Sequence, residues 1–251
     1  MFRIKICGIT SFEDALLAAE AGADAIGLNF YDQSPRYLTA ELAESIVQKL
    51  REVYSADQLA VYGVFVNATV DDILWVIREA NLYGADGGLG IQLHGDEPPE
   101  LLREMRGHGL GTSGELLQAS GHIPTVPITR AFRSKDPSLA EVAGYLDKCQ
   151  QLGALPQAVL LDGYTPGVYG GTGIAANWQA IARQRHLLRK LPVILAGGLT
   201  AQNVAEAIKV AQPDAVDVAS GVESAPGKKD YAKTMAFVAA ARRAFAELGA
   251  S

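Results

Sequence analysis

Two side chains in this sequence close apolar runs and can move protons: the thiol of Cys7 and the carboxyl of Asp162. A thiol works as a base once ionised, and at an ordinary pKa of ~8.5 only a few per cent is thiolate at neutral pH. A carboxylic acid delivers a proton only where its surroundings keep it protonated. Asp162 follows the apolar run Ala158–Leu161 and opens a loop rich in glycine and tyrosine (Gly163, Tyr164, Gly167, Tyr169, Gly170, Gly171, Gly173). The same aspartate also fits a cap on a strand-to-loop turn. Cys7 equally fits a small buried hydrophobe, the usual fate of a free cysteine.

The elements that must position these groups are legible as eight short apolar runs: Arg3–Cys7, Ala25–Phe30, Leu59–Val66, Leu89–His94, Pro124–Phe132, Ala158–Asp162, Pro192–Ala196 and Ala215–Ser220. Several are apolar on both faces, as parallel strands covered by helices must be. Helical stripes lie between them: Leu42, Ala43, Ile46, Val47 and Leu50 after the second, Ile73, Leu74, Ile77 and Ala80 after the third, Val204, Ala207, Ile208 and Ala211 after the seventh. Thr10 with Glu13 reads as a capping box; Thr39, Thr69 and Thr200 read as N-caps and Gly22 as a helix stop. Eight strands alternating with helices in 251 residues predict an α/β protein, a single-domain (β/α)8 TIM barrel over residues 1–251. An open doubly wound sheet is disfavoured, because CGITS after the first strand is not a dinucleotide fingerprint. The Gly-rich stretch 107–124 falls in a connection on the far face and is expected to be a tolerated insertion.

In such a barrel the carboxyl ends of the strands converge on one mouth. Cys7 comes from strand one and Asp162 from strand six. Arg36 comes from the loop YDQSPRYL after strand two, and His94 from the end of strand four. Gly197–Gly198 and Ser220–Gly221 form the turns after strands seven and eight. Those last two turns sit where barrels commonly bind phosphate, with backbone N–H groups exposed to the anion. A helix start near Val222–Glu223 would add its dipole. Both turns also fit the bare need for glycine, but their joint position favours phosphate. Arg36 can grip a carboxylate with two bonds, though loop arginines are usually solvated. His94 fits a hydrogen bond within a barrel layer as well as a ligand contact. Lys5 shares a strand face with Cys7, and its charge favours the thiolate. An inward Asp217 on strand eight would pair with Lys5 and weaken that help.

Composition narrows the partners. A net charge of −6 argues against a nucleic-acid-binding face. No apolar run approaches the ~18 residues of a membrane span, and MFRIKICGIT lacks a signal-peptide core, so a cytoplasmic protein is expected. Cys7 and Cys149 have no metal-ligand spacing, and four scattered histidines make no metal site. Cys149 is expected on an outer helix with no role.

The segments KICGIT, SPRYL, GVFVN, QLHGDE, LLDGYTPGVYGGTG, ILAGGLTAQNV and VDVASGVESAPGKKD together resemble the phosphoribosylanthranilate isomerase family over nearly the whole chain. The resemblance implies a (β/α)8 barrel that carries out an Amadori rearrangement in tryptophan biosynthesis with no cofactor and no metal. It implies Cys7 as general base, Asp162 as general acid and Arg36 on the anthranilate carboxylate. The turns Gly197–Gly198 and Ser220–Gly221 would hold the phosphate. His94 and Gly171 join the expected substrate contacts. Burial under the Tyr164–Tyr169 loop is expected to raise the pKa of Asp162. The partner is then a small phosphorylated substrate; monomer and homodimer both stay open. Three departures are visible: a longer stretch before strand five, a longer Tyr83–Leu89, and Asn177 where the family often has aspartate. None replaces a catalytic group. The related isomerase of histidine biosynthesis has an aspartate at the strand-one base, so Cys7 argues against it. A non-catalytic phospho-ligand-binding barrel would lack the acid or the base.

Overall fold

The structure, a computed structural model, describes residues 1–82, 88–110, 116–118, 121–123, 126–134, 138–163 and 177–249. In chain order the strands are β1 (Ile4–Cys7), β2 (Ala25–Asn29), β3 (Ala60–Phe65), β4 (Leu89–Leu93), β5 (Leu116–Gln118), β6 (Gly121–Ile123), β7 (Ile128–Ser134), β8 (Ala158–Gly163), β9 (Val193–Leu195), β10 (Ala215–Val218), β11 (Glu223–Ala225) and β12 (Lys228–Lys229). Between them run α1 (Phe12–Glu20), α2 (Ala40–Arg51), α3 (Val70–Glu79), α4 (Pro99–Gly107), α5 (Ala140–Gln151), α6 (Trp178–Gln184), α7 (Val204–Ala211) and α8 (Tyr231–Gly249). Eight strands close in the order β1-β10-β9-β8-β7-β4-β3-β2, with parallel pairing throughout. All eight expected runs lie in this barrel. The fifth starts later than its apolar run, at Ile128, and continues to Ser134.

The period of two along each strand sorts side chains into two cores. Ile4, Ile6, Ile26, Val61, Ile91, Val159, Leu161 and Val193 pack outward against the helices. Ala25, Tyr62, Ala131, Leu160, Ile194 and Ala215 fill the lumen. Lys5 stands in register with Asp217 on one side and with Ala25 on the other, so all three face the lumen. Small lumen residues leave room for the polar groups above them.

Helix starts follow local chemistry where nothing competes. The Thr39 hydroxyl accepts from Leu42 N–H, and Thr69 with Asp72 forms a full capping box. Gly22, at φ 91°, ends α1. Two expected caps are corrected. Ser11, not Thr10, caps α1 and accepts from Asp14 N–H, because the Thr10 hydroxyl donates to the Gly227 carbonyl instead. Thr200 does not cap α7: its N–H donates to Asn203, which is the cap position. Leu42, counted on the apolar stripe of α2, is exposed, whereas Ala43, Ile46, Val47 and Leu50 are buried. The α3 and α7 stripes pack inward, with Leu74 half-buried. The 107–124 insertion contains the antiparallel hairpin β5–β6, a regular element not expected from its glycines.

Candidate active site

The carboxyl end of the barrel holds a cavity lined by Cys7, Arg36, His94, Asp162, Gly197, Gly198, Asp217, Ser220 and Gly221. These include every expected site residue except Gly171, which lies outside the described residues, as do Tyr164 and Tyr169. Cys149 is buried in α5, away from this cavity, where burial pushes its thiol up to about 11.

Cys7 ends β1 and turns its Sγ into the lumen beside Gly27. A Cβ on Gly27 would stand 2.6 Å from that sulfur, so β2 needs a glycine where the thiol crosses it. Lys5 lies one pleat deeper, 0% exposed, with its Nζ 2.9 Å from Asp217 Oδ1. The expected pairing therefore exists, and its register partners on adjacent strands enforce it. Burial raises the Cys7 pKa first; the Lys5 charge counters, and Asp217 pushes the same way as burial. The net direction is up, so the cation does not by itself preform a thiolate. Lys5 keeps its charge: burial opposes it, but Asp217 and Cys7 more than offset that.

Asp162 enters from β8, buried, with Oδ2 3.2 Å from His94 Nε2. The other ring nitrogen, Nδ1, lies 2.9 Å from Gln92 Nε2, and Gln92 Oε1 accepts from Lys5 at 3.0 Å. Both nitrogens of His94 are thus engaged by the protein. The loop carrying His94 is fixed from below. Glu97 accepts from Gly95 N–H at 3.0 Å and Asn67 N–H at 2.9 Å, and Arg130 Nη1 pairs with it at 3.3 Å. Asn67 in turn accepts from Asp96 N–H at 2.7 Å, which ties GVFVN to QLHGDE.

Arg36 crosses the mouth and is held by Glu223: Nε donates to Oε1 at 2.8 Å and Nη2 to Oε2 at 2.7 Å. The side edge of the guanidinium is occupied; Nη1 and the outer hydrogen of Nη2 have no partner among the described residues. Glu223 also takes Lys229 Nζ at 2.9 Å, and Lys229 donates to the Cys7 carbonyl at 2.6 Å. Burial works against the charge on Glu223, but Arg36 and Lys229 keep its pKa below the usual carboxylate range. Burial lowers the Lys229 pKa despite Glu223. Sequence reasoning missed Glu223 and Lys229. The turn signal Pro226–Gly227 between them could have found them, because a hairpin there brings Glu223 opposite Lys229.

At the glycine turns, Gly197 and Gly198 adopt φ 83° and 59°. A Cβ on Gly221 would stand 1.8 Å from the Leu199 carbonyl oxygen, so the two turns nest only with glycine there. The helix start expected at Val222–Glu223 is instead a single 3-10 turn at Ser220–Val222, and Glu223 already belongs to β11.

A parallel eight-stranded barrel with proton-moving groups and paired glycine turns at its carboxyl face is a (β/α)8-barrel enzyme. The profile of the N-(5'-phosphoribosyl)anthranilate (PRA) isomerase family matches residues 4–240, and the chain belongs to that family. It is 41% identical to the N-(5'-phosphoribosyl)anthranilate isomerase of Geobacter sulfurreducens over 96% of this chain and 99% of that one. Among solved structures it resembles monomers of the dimeric phosphoribosylanthranilate isomerase from Thermotoga maritima (TM-score 0.72, 32% identity, covering 97% of this chain and 100% of that one). It is equally similar to a phosphoribosyl anthranilate isomerase in complex with reduced 1-(o-carboxyphenylamino)-1-deoxyribulose 5-phosphate (TM-score 0.72, 32% identity, the same coverage). No helix among the described residues is long and apolar enough to cross a membrane.

Proposed function

We infer that this chain, as one catalytic unit over residues 1–251, carries out the reaction its family is named for. The aminoaldose N-(5'-phosphoribosyl)anthranilate is rearranged to 1-(2-carboxyphenylamino)-1-deoxyribulose 5-phosphate, a step of tryptophan biosynthesis. The observation that carries the assignment of roles is that Cys7 and Asp162 reach one cavity from β1 and β8, together with Arg36 and both glycine turns. Asp162 protonates the ribose ring oxygen and the ring opens to a Schiff base. The thiolate of Cys7 takes the proton from C2′, giving an enolamine. Ketonisation then adds a proton at C1′ and releases one from O2′. The proton gained by the thiol and the one lost by the carboxyl therefore balance over the cycle. Acid and base need different environments, and here one adjoins a histidine and the other an ammonium.

The backbone N–H groups of Gly197–Gly198 and Ser220–Gly221 hold the phosphate. With one 3-10 turn behind them, the backbone donors carry this contact rather than a helix dipole. The end of Arg36 left open by Glu223 takes the anthranilate carboxylate, so the grip is by Nη1 and Nη2. A charge-assisted hydrogen bond is worth about 1.5–3 kcal/mol. Arg36→Met is therefore expected to raise KM by about 10- to 100-fold with a smaller change in kcat. An analogue lacking the carboxylate should show no such difference between the two proteins; an equal loss would make Arg36 structural. A homodimer and a cytoplasmic location complete the proposal, the first on the ground of the dimeric Thermotoga maritima relative.

The test is rescue of a tryptophan-requiring strain that lacks this isomerase, alongside a fluorescence assay of the purified protein on phosphoribosylanthranilate. Growth with conversion in vitro is the expected result. Neither growth nor conversion by folded protein would reduce the reading to a phospho-ligand-binding barrel.

A further inference from the structure

We propose that Gln92 fixes the tautomer of His94, and that His94 thereby confines the acid proton of Asp162 to its Oδ1. This deepens the reading of Asp162 as the general acid and rests on it. The argument is a count of hydrogens along a buried row. Lys5 Nζ lies 2.9 Å from Asp217 Oδ1 and 3.0 Å from Gln92 Oε1. An ammonium has donors and no acceptor. Gln92 must therefore meet Lys5 with its oxygen, which turns its NH2 group toward the other side. There it lies 2.9 Å from His94 Nδ1. Two facing donors repel, so Nδ1 carries no hydrogen, and the neutral ring is protonated at Nε2. That N–H then donates to Asp162 Oδ2 at 3.2 Å. A proton on Oδ2 would face a second donor, so the transferable proton sits on Oδ1.

Each link is set by the one before it, starting from an ion pair whose geometry the strand register enforces. Gln92 and His94 are two residues apart on and just beyond β4, which is why they share the lumen face. The charged groups around His94 are Asp162 from β8, Lys5 with Asp217 behind Gln92, Cys7 and Arg36 across the mouth, and the Arg130–Glu97 pair beneath its loop. Gln92 presents a donor to Nδ1, which leaves Nε2 as the ring nitrogen that donates to Asp162. Gln92 and His94 are positioning residues in this scheme.

The experiment is long-range 1H–15N correlation on 15N-histidine-labelled protein near neutral pH, with His94 assigned by the His94→Gln variant. The expected wild-type signal is the Nε2–H tautomer. In Gln92→Glu both faces of residue 92 accept, so His94 gains a proton at Nδ1. The signal should change, and kcat should fall on the order of 10²-fold with KM nearly constant. In Gln92→Met the signal should become a mixture. A wild-type Nδ1–H or doubly protonated signal overturns the proposal without any variant being needed. So does a signal unchanged in both substitutions. If the tautomer behaves as stated but Gln92→Glu keeps full kcat, the control of the acid proton by His94 is overturned, whereas loss of the acid role itself would show as full turnover in Asp162→Asn.

Discussion

Asp162→Asn and Cys7→Ser should each lower kcat by about 10³-fold, within the range that general acid or base groups contribute, while product affinity stays near that of the parent. Asparagine can still accept from His94 Nε2 but has no carboxyl proton to deliver. Serine keeps the shape of the side chain but not an ionisable group in the working range. The pH dependence separates the two. The base must be deprotonated, and burial raises the Cys7 pKa beyond what Lys5 restores. The thiolate fraction therefore grows about tenfold per pH unit below that pKa, and kcat/KM should climb with pH through and above neutrality. Steady-state kinetics over a pH series reads this directly. A flat profile in the parent protein, or a rising limb that survives in Cys7→Ser, would remove the thiol from the mechanism.

The second large effect is on stability. Lys5 is fully enclosed and pairs with Asp217. Removing one member of a buried pair leaves a charge with no partner and costs about 3–5 kcal/mol, whereas replacing both is often neutral. Lys5→Met is therefore expected to lower the unfolding free energy by that amount and Tm by about 10 °C. The double variant Lys5→Met/Asp217→Leu should recover most of the loss. Denaturant and thermal unfolding of the single and double variants check it. Additive losses in the double variant would show that the pair is not one energetic unit. The thiol gives a second readout: without Lys5 its pKa moves further up, so the rising limb shifts to higher pH.

Strands buried on both faces announce themselves as apolar runs, which is why all eight barrel strands and the residues closing them were legible. The Lys5–Asp217 pair followed from a period of two and from adjacency of the first and last barrel strands. Failures came where a distant partner outbid a local one. Thr10 had the right spacing for a cap, but the Gly227 carbonyl, far along the chain, takes its hydroxyl. Arg36 looked free to close on a ligand, but Glu223, 187 residues away, holds one of its edges. The β5–β6 hairpin has strands of three residues, too short to give a periodic signal. Gln92 lies within QLHGDE but carries no signal there, because an amide has no acid or base chemistry of its own. Its effect appears only once Lys5 and His94 are seen on either side of it.

The contact of Lys229 with the Cys7 carbonyl spans 222 residues, and β1 finds its second neighbour only in β10. During synthesis the first strand therefore emerges with one edge bare and stays so until β10 has followed it. Loop closure on that scale is slow compared with local helix formation. A chain cut off before residue 229 would keep the residues of α1 to α7 but lack the Lys229 contact at the mouth, so the site is assembled only after the two ends of the barrel have met.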